Sequence, residues 1–289
     1  MSNEILPGAL YVVATPIGNL SDLSARAVKV LSEVDFIAAE DTRVTLKLLT
    51  HFGIKKPLVS YYEQIKAERG PELCARLSSG ESCALVSDAG TPAISDPGED
   101  LVRLCREKSI PVYIIPGCCA AVSALAVSGL PTARFSFEGF IPVAKKERLE
   151  RLDEIRSDRR TLIFYEAPHR LKSTLADLYS ALGDRRISLV RELTKINEEV
   201  IATTLSAACG LYRDAPPKGE FVLIVEGASE NSEQLFWRDM TVREHYEFYK
   251  NMGLEHMAAV KKVASDRGIA KNEVYMECID AGKSRRMRD

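Results

Sequence analysis

Between Leu85 and Gly98 the chain reads LVSDAGTPAISDPG. An apolar run opens here into two acids, two glycines, two prolines, two serines and a threonine. Small residues let a ligand lie against the backbone, whose amide groups become the recognition surface. Gly90-Thr91-Pro92 and Asp96-Pro97-Gly98 are two separate turn signals in one connection. Leu101, Val102, Leu104 and Cys105 then recur at helical spacing, so a helix should start near Pro97. A strand that opens into such a loop before a helix is the usual ligand-binding place of an open α/β sheet.

Three charged clusters could act beside that loop. Tyr165-Glu166-Ala167-Pro168-His169-Arg170 directly follows an apolar strand, and Pro168 suits a first helical turn. Glu166 and His169 are the first candidates for polar work at a reacting centre, since a histidine titrates near neutral pH and can accept a proton. The plainer alternative pairs Glu166 with Arg170 and leaves His169 to packing; Arg170 could equally hold a phosphate group. Glu40-Asp41-Thr42-Arg43 stands where a strand gives way to a helix, a place the helix dipole reserves for carboxylates whether or not they also position a substrate. Arg191, Glu192 and Lys195 end a later strand, on what would otherwise read as a solvated edge. Pro16-Ile17-Gly18-Asn19 is neither a dinucleotide fingerprint nor a phosphate loop, since no Gly-Lys-Ser/Thr follows.

These residues need strands and helices to place them. Strands are expected over Leu10 to Ala14, Phe36 to Ala39, Pro57 to Tyr61, Ser82 to Ser87 and Val112 to Ile115. Helices over Ser24 to Val34 (Ser24 as N-cap), Thr42 to His51 (closed by Gly53) and about Pro71 to Leu77 alternate with them. That alternation predicts a mainly parallel sheet with helices on both faces in a domain of residues 1–117. After a helix of small residues, Ala120 to Val127, the pattern changes. Strands over Phe135 to Phe140, Thr161 to Tyr165, Ile187 to Glu192, Glu199 to Thr203 and Glu220 to Val225, some joined by short connections, predict a mixed sheet in a domain of residues 118–230. Ala228 to Glu233 reads as a polar linker. Val242 to Met252, Glu255 to Ser265 and Lys271 to Ile279 then form a helical region, 231–289, with Gly253 and Gly268 as breaks. From Leu254 it is similar to a helix-turn-helix, or it is a helical cap on the body.

The chain has 289 residues with 46% hydrophobic and 28% charged, as expected for a soluble globular protein of about two domains. A net charge of −2 leaves any nucleic-acid contact to local basic patches. Lys145, Lys146, Arg148, Arg151, Arg156, Arg159 and Arg160, interleaved with acids, are one such run or an ordinary solvated face; Lys261, Lys262, Lys283, Arg285, Arg286 and Arg288 add another. No span of about 18 apolar residues suits a membrane and MSNEILPGA is unlike a secretory leader, so a cytoplasmic protein is expected. The seven cysteines and four histidines form no metal-ligand spacing, so no metal is expected and the thiols should be reduced.

Taken together and in order, LYVVATPIGNLSDLSARAVKVL (10–31), AAEDTR (38–43), LVSDAGTPAISDPG (85–98), IIPGCCAAVSAL (114–125), FEGFIP (137–142), LIFYEAPHRL (162–171), RELTK (191–195) and KGEFVLIVEG (218–227) resemble the tetrapyrrole methylase superfamily. The likeness is greatest to the branch that methylates the ribose 2′-hydroxyl of a cytidine in 16S ribosomal RNA, cytidine 1402 of the decoding centre. It implies an α/β, two-domain tetrapyrrole-methylase-like fold, with S-adenosylmethionine folded into the cleft between the domains, and a homodimer acting on the small ribosomal subunit. The resemblance places the cofactor against Pro16, Asp88, Gly90, Thr91, Ile94, Ser95, Gly117, Cys118, Cys119, Ala120, Tyr165, Glu220 and Phe221. It gives substrate contacts to Asn19, Glu40, Asp41, Arg43, Arg170 and Arg191, and chemistry to Glu166, His169 and Lys195. Two departures stand out: Cys118 follows Gly117, where relatives have proline, and Ser60-Tyr61-Tyr62-Glu63-Gln64 replaces a segment that often carries histidine and asparagine. Two other readings stay open, a methyltransferase of a corrin precursor and a non-catalytic RNA-binding protein that uses its tail alone.

Overall fold

The computed structural model describes residues 4–212, 216–229, 237 and 240–284. It forms two compact units, 1–228 and 229–289. The first holds two five-stranded sheets.

The first sheet is built from β1 (Leu10–Val13), β2 (Phe36–Ala39), β3 (Leu58–Ser60), β4 (Cys83–Val86) and β5 (Val112–Ile115), in the order β3-β2-β4-β1-β5 and parallel throughout. The connecting helices are α1 (Ala25–Glu33), α2 (Thr42–His51), α3 (Lys66–Ser78) and α4 (Gly98–Glu107). Alternate side chains along each central strand enter two different cores. Tyr11, Val13, Ile37, Ala39, Ala84 and Val86 face one, whereas Leu10, Val12, Phe36, Ala38, Cys83 and Leu85 face the other. Burial on both faces explains why these strands read as unbroken apolar runs. Ser24 caps α1 by accepting from the Ala27 amide at 3.1 Å, and Gly53 leaves α2 with a φ of 67°. One expected boundary moves. Pro71, read as a helix start, lies inside α3, which begins at Lys66. Contacts with α4 hold that early turn: Lys66 Nζ pairs with Asp100 at 2.6 Å, and a Cβ on Gly70 would lie 2.8 Å from Leu104.

The second sheet contains β6 (Phe135–Phe140), β7 (Thr161–Glu166), β8 (Arg186–Arg191), β9 (Glu199–Thr204) and β10 (Phe221–Val225), in the order β6-β7-β10-β8-β9. It is mixed, because β6 and β7 are parallel and the other pairs antiparallel. Around it lie α5 (Ala120–Val127), α6 (Lys145–Glu154), α7 (Pro168–Leu182) and α8 (Leu205–Leu211). The last of these has no counterpart in the sequence reading; LSAACGL is short and carries no amphipathic repeat. One face of the sheet packs Leu162, Phe164, Leu189 and Leu223 against α7 and α8. The other packs Ile163, Val190, Val222 and Ile224 under α5.

The second unit contains α9 (Val242–Asn251), α10 (His256–Arg267) and α11 (Lys271–Ser284) around Tyr246, Tyr249, Val260, Val263 and Val274. A capping box between Thr241 and Glu244 starts α9, and Gly268 in the left-handed region ends α10. Residues 230–233 of the expected linker, and Arg285, Arg286 and Arg288, lie outside the described residues.

Candidate functional site

The strands of the first sheet all point their C-terminal ends the same way, so the loops after them gather on one side. Two of these loops are joined directly. The Thr15 amide donates to Gly90 O at 2.9 Å and the Gly90 amide returns a bond to Thr15 O at 3.1 Å, tying the loop after β1 to the one after β4. The second loop is shaped by strain. Ala93 and Ser95 hold φ values of 66° and 62°, in a region costly for residues with a Cβ. Asp96 fixes this shape, because its carboxylate accepts from the Ala93 amide at 2.9 Å and the Gly98 amide at 2.7 Å. Gly98 is required there, since a Cβ would meet Asp96 Oδ1 at 2.7 Å and Leu85 at 3.0 Å.

A cavity of about 520 Å³ lies against these loops. From the first sheet it is lined by Ile17, Glu40, Ser87 to Thr91 and Ile94 to Asp96. Cys119 and Ala120 at the start of α5 close one side. The second sheet contributes Phe140, Tyr165 and Glu166, then Ala167 and Pro168, then Val190, Leu193 and Glu220 to Val222. The volume is ordinary for a small-molecule or cofactor pocket.

The cavity has an acidic wall and an apolar one. Burial raises the Glu40 carboxyl above its usual range, and the neighbouring Asp88 and Asp96 raise it further. Burial likewise raises Asp96, against the lowering effect of the amides it accepts. Ile94, Phe140, Val190, Phe221 and Val222 supply the apolar surface. Tyr165 adds an aromatic ring to the apolar side: its hydroxyl accepts from the Ala121 amide at 3.1 Å, and burial raises its pKa.

Of the residues singled out in the sequence as cofactor contacts, Asp88, Gly90, Thr91, Ile94, Ser95, Cys119, Ala120, Tyr165, Glu220 and Phe221 line this cavity. Cys118 is beside it, with its carbonyl accepting from the Thr91 hydroxyl at 2.9 Å. Pro16 and Gly117 are not in the lining; a Cβ on Gly117 would lie 3.0 Å from Ala14 Cβ, so this glycine serves close packing of the loop.

Among the expected substrate contacts only Glu40 reaches the cavity. Asn19 is spent on the short 3-10 turn at Leu20–Asp22, where it accepts from the Ser21 amide at 3.1 Å. Asp41 is the N-cap of α2 and pairs with Arg43 at 2.7 Å, and bonds from Arg43 hold its pKa down to about 2. Arg170 donates to Ile141 O at 2.5 Å, and Arg191 to Lys218 O at 2.6 Å.

The three residues expected to do chemistry fall in different places. Glu166 lines the cavity but is fully engaged: it accepts from the Thr174 hydroxyl and the Ala167 amide and lies 3.6 Å from Arg170 Nε. His169 lies on the exposed surface, outside the cavity lining. Pro168 occupies the first helical position and faces the cavity, so the next residue, about 100° further round, is turned away. Lys195 bonds Glu192 and Glu220, each at 2.9 Å. Burial lowers its pKa, but these two carboxylates outweigh that effect and keep it a cation. Its loop packs on the first sheet's side, since a Cβ on Gly18 would meet Lys195 Cγ at 2.5 Å. Asp96, Ile17, Leu193 and Phe140 line the cavity without having been expected to contact a ligand, although each lies in one of the motifs given above.

The basic run at 145–160 is mostly paired internally. Arg148 bonds Asp177 at 2.5 Å, Arg151 bonds Glu138 at 2.5 Å and Arg160 bonds Asp158 at 2.6 Å. Lys145 and Lys146 are exposed. Among the described residues no cluster of His, Cys, Asp and Glu suits a metal ion, and no helix is long and apolar enough to cross a membrane.

Residues 9–209 match the family model described as Tetrapyrrole (Corrin/Porphyrin) Methylases. The chain belongs to the tetrapyrrole methylase family. Ribosomal RNA small subunit methyltransferase I of Halalkalibacterium halodurans is 51% identical over 270 residues, 93% of each chain. The Bacillus subtilis protein of the same name is 45% identical over 271 residues, again 93% of each. Among solved structures, a diphthine synthase superposes with a TM-score of 0.61 at 16% identity, over 76% of this chain and 90% of its own. The Thermus thermophilus uroporphyrin-III C-methyltransferase complexed with S-adenyl homocysteine gives 0.50 at 18%, over 75% and 96%. Both likenesses are of fold, and they agree with the parallel sheet followed by a mixed one.

Proposed function

We propose that this chain transfers the methyl group of S-adenosylmethionine to the ribose 2′-hydroxyl of a cytidine in small-subunit ribosomal RNA. The observation that carries this reading is identity of 51% along 93% of a ribosomal RNA small subunit methyltransferase I, joined to a cavity whose walls suit the methyl donor. A corrin substrate has only the shared family and fold behind it.

The residues present fit S-adenosylmethionine. Glu40, Asp88 and Asp96 put negative charge along one wall, complementary to a sulfonium and an ammonium group. The apolar wall, with Val190, Phe221 and Val222, suits a purine ring, and the Ser87–Thr91 backbone offers polar groups to a sugar. When bound, the cofactor supplies an electrophilic methyl on a positively charged sulfur. The chain's task is to align a sugar oxygen with that carbon and exclude water, which in well-oriented systems is worth roughly 7–11 kcal/mol.

A ribose hydroxyl is a weak acid, so a positioned base should contribute about 10²–10⁴-fold. Glu40 suits the task. Asp96 is spent on the Ala93 and Gly98 amides, Glu166 on Thr174 and Ala167, and Glu220 on Lys195. Asp88 Oδ1 accepts from the Asp41 amide at 3.0 Å. Glu40 is left with a raised pKa, one backbone bond from Asp88 and a place in the cavity wall. Lys145, Lys146 and Lys261 are exposed and would meet phosphates.

The same reading divides the chain at 117 and 230, places it in the cytoplasm and makes it a homodimer. Tyr113 and Ile114 on the edge strand β5, with Val122 and Val127 on α5, are exposed apolar residues that a second copy would cover.

The test uses small ribosomal subunits from a strain lacking the gene, incubated with the protein and methyl-labelled S-adenosylmethionine, then digested to nucleosides. Label in 2′-O-methylcytidine is the expected result. Label only on bases, or none on RNA, would overturn the reading.

A further inference from the structure

Phe140 is a large aromatic side chain that lines the cavity and yet is 55% exposed. Single exposed apolar residues are common on protein surfaces. What sets this one apart is how the chain aims it. Phe137 and Phe140 are three residues apart, so in a regular strand they would point to opposite faces of the sheet. The pairing of β6 with β7 instead shifts register between Phe137 and Gly139. Phe137 stands opposite Ile163, Gly139 opposite Phe164 and Phe140 opposite Tyr165, leaving Glu138 as the extra residue. The two phenylalanines therefore share the face that carries Ile163 and Tyr165. The side chain of Glu138 is buried and ion-paired with Arg151.

Three further features hold this arrangement. Gly139 takes a φ of 63°, which a residue with a side chain would adopt only under strain. Both rings pack edge-on against Tyr165, at centroid distances of 5.0 Å for Phe137 and 5.8 Å for Phe140. A Cβ on Gly139 would lie 3.6 Å from Ser95 Oγ, so the bulge comes up against the loop after β4. Ile94 of that loop lines the same cavity and is itself 49% exposed. A bulge beside a site commonly re-aims a side chain. Here it delivers a buttressed aromatic surface to water at the mouth of the cavity.

Resting on the reading that the substrate is a ribonucleotide, we infer that Phe140 is the platform on which the target base stacks after leaving its own stack in the RNA. A sugar hydroxyl reaches deepest into the cavity when its nucleotide is turned out of the surrounding strand. The base must then find a new partner, and aromatic side chains are the usual one in RNA recognition. Tyr165 is held by the Ala121 amide and by its two aromatic neighbours, whereas Phe140 has surface left to offer.

The experiment measures steady-state methyl transfer to small subunits, and binding of S-adenosylmethionine by calorimetry, for wild type, Phe140→Ala, Phe140→Leu and Phe140→Trp. Loss of one base–aromatic stack should lower kcat/KM for the subunit by roughly 5- to 150-fold in the Ala and Leu variants, mainly through KM. The Trp variant should recover most of this, and cofactor affinity should stay within about twofold in all three. Leu keeps an apolar side chain without a π face, so a loss shared by Ala and Leu reports stacking. An unchanged kcat/KM in an active protein would overturn the inference alone. So would a matching loss of cofactor affinity, since the ring would then be part of the cofactor's wall. A wild-type protein that binds the cofactor but methylates no subunit would overturn the functional reading and this inference with it.

Discussion

The hydroxyl of Thr91 donates to the carbonyl of Cys118 at 2.9 Å, so the loop after β4 and the turn after β5 are fastened side to side. Both flank the cavity, and the Thr15–Gly90 backbone pair ties the loop after β1 to the same place. Residues from three strands of one sheet thus reach a ligand as a single surface, which is the preorganisation that positioning a reactive carbon demands.

Thr91→Val keeps the shape and removes the donor. A hydrogen bond of this kind is worth about 0.5–1.5 kcal/mol net. Calorimetry should show S-adenosylmethionine affinity falling by roughly 2- to 10-fold, with Thr91→Ser near wild type.

Glu40→Gln tests proton acceptance. The maximal rate should fall by about 10²–10⁴-fold while cofactor binding persists. In wild type the rate should decline on the acid side around a pKa above the usual carboxylate range, because burial and the acids at Asp88 and Asp96 disfavour the charged form. The stability effect has the opposite sign. A carboxyl raised in the folded state weakens folding at neutral pH, and that penalty is relieved as pH falls through its folded pKa. Glu40→Gln should therefore leave Tm at pH 7 unchanged or raised. A lowered Tm together with full activity would contradict both assignments.

Glu166→Ala should act mainly through stability. It strips the Thr174 hydroxyl and the Arg170 guanidinium of their carboxylate, in a site where the Glu166 side chain is fully buried. Denaturant unfolding should show a loss of roughly 2–3 kcal/mol.

Gly219→Ala tests the strap beside the cavity. Gly219 has a φ of 86°, and a Cβ there would lie 2.5 Å from Glu192 Cγ. Glu192 also accepts from the Glu220 amide and Lys195 Nζ, each at 2.9 Å. The substitution should cost roughly 1–3 kcal/mol in unfolding experiments and reduce methyl transfer through the displaced Glu220 and Phe221.

The parallel sheet was legible because Leu10 to Val13, Phe36 to Ala39 and Cys83 to Val86 are buried on both faces and must be apolar throughout. The loop from Asp88 to Ser95 was legible because strained turns and close backbone approach leave their mark in Gly, Pro, Asp and Ser. Which carboxylate stays available was not. Glu40 and Glu166 both follow or end apolar strands, and only the partners Thr174, Ala167 and Arg170 separate them. The exposure of His169 was not legible either, because one residue of helical rotation past Pro168 decides between cavity and solvent. Phe140 was hidden for a related reason: its facing depends on a bulge at Glu138 that no two-residue period reveals.

The most direct measurement is a density map of the protein bound to S-adenosylhomocysteine. If the two sheets close on the methyl donor, the ligand should touch the loop between Asp88 and Ser95 and the α5 start at Cys119 and Ala120, with its sulfur open towards Glu40. A ligand seated on any other surface, with this cavity filled only by solvent, would contradict it.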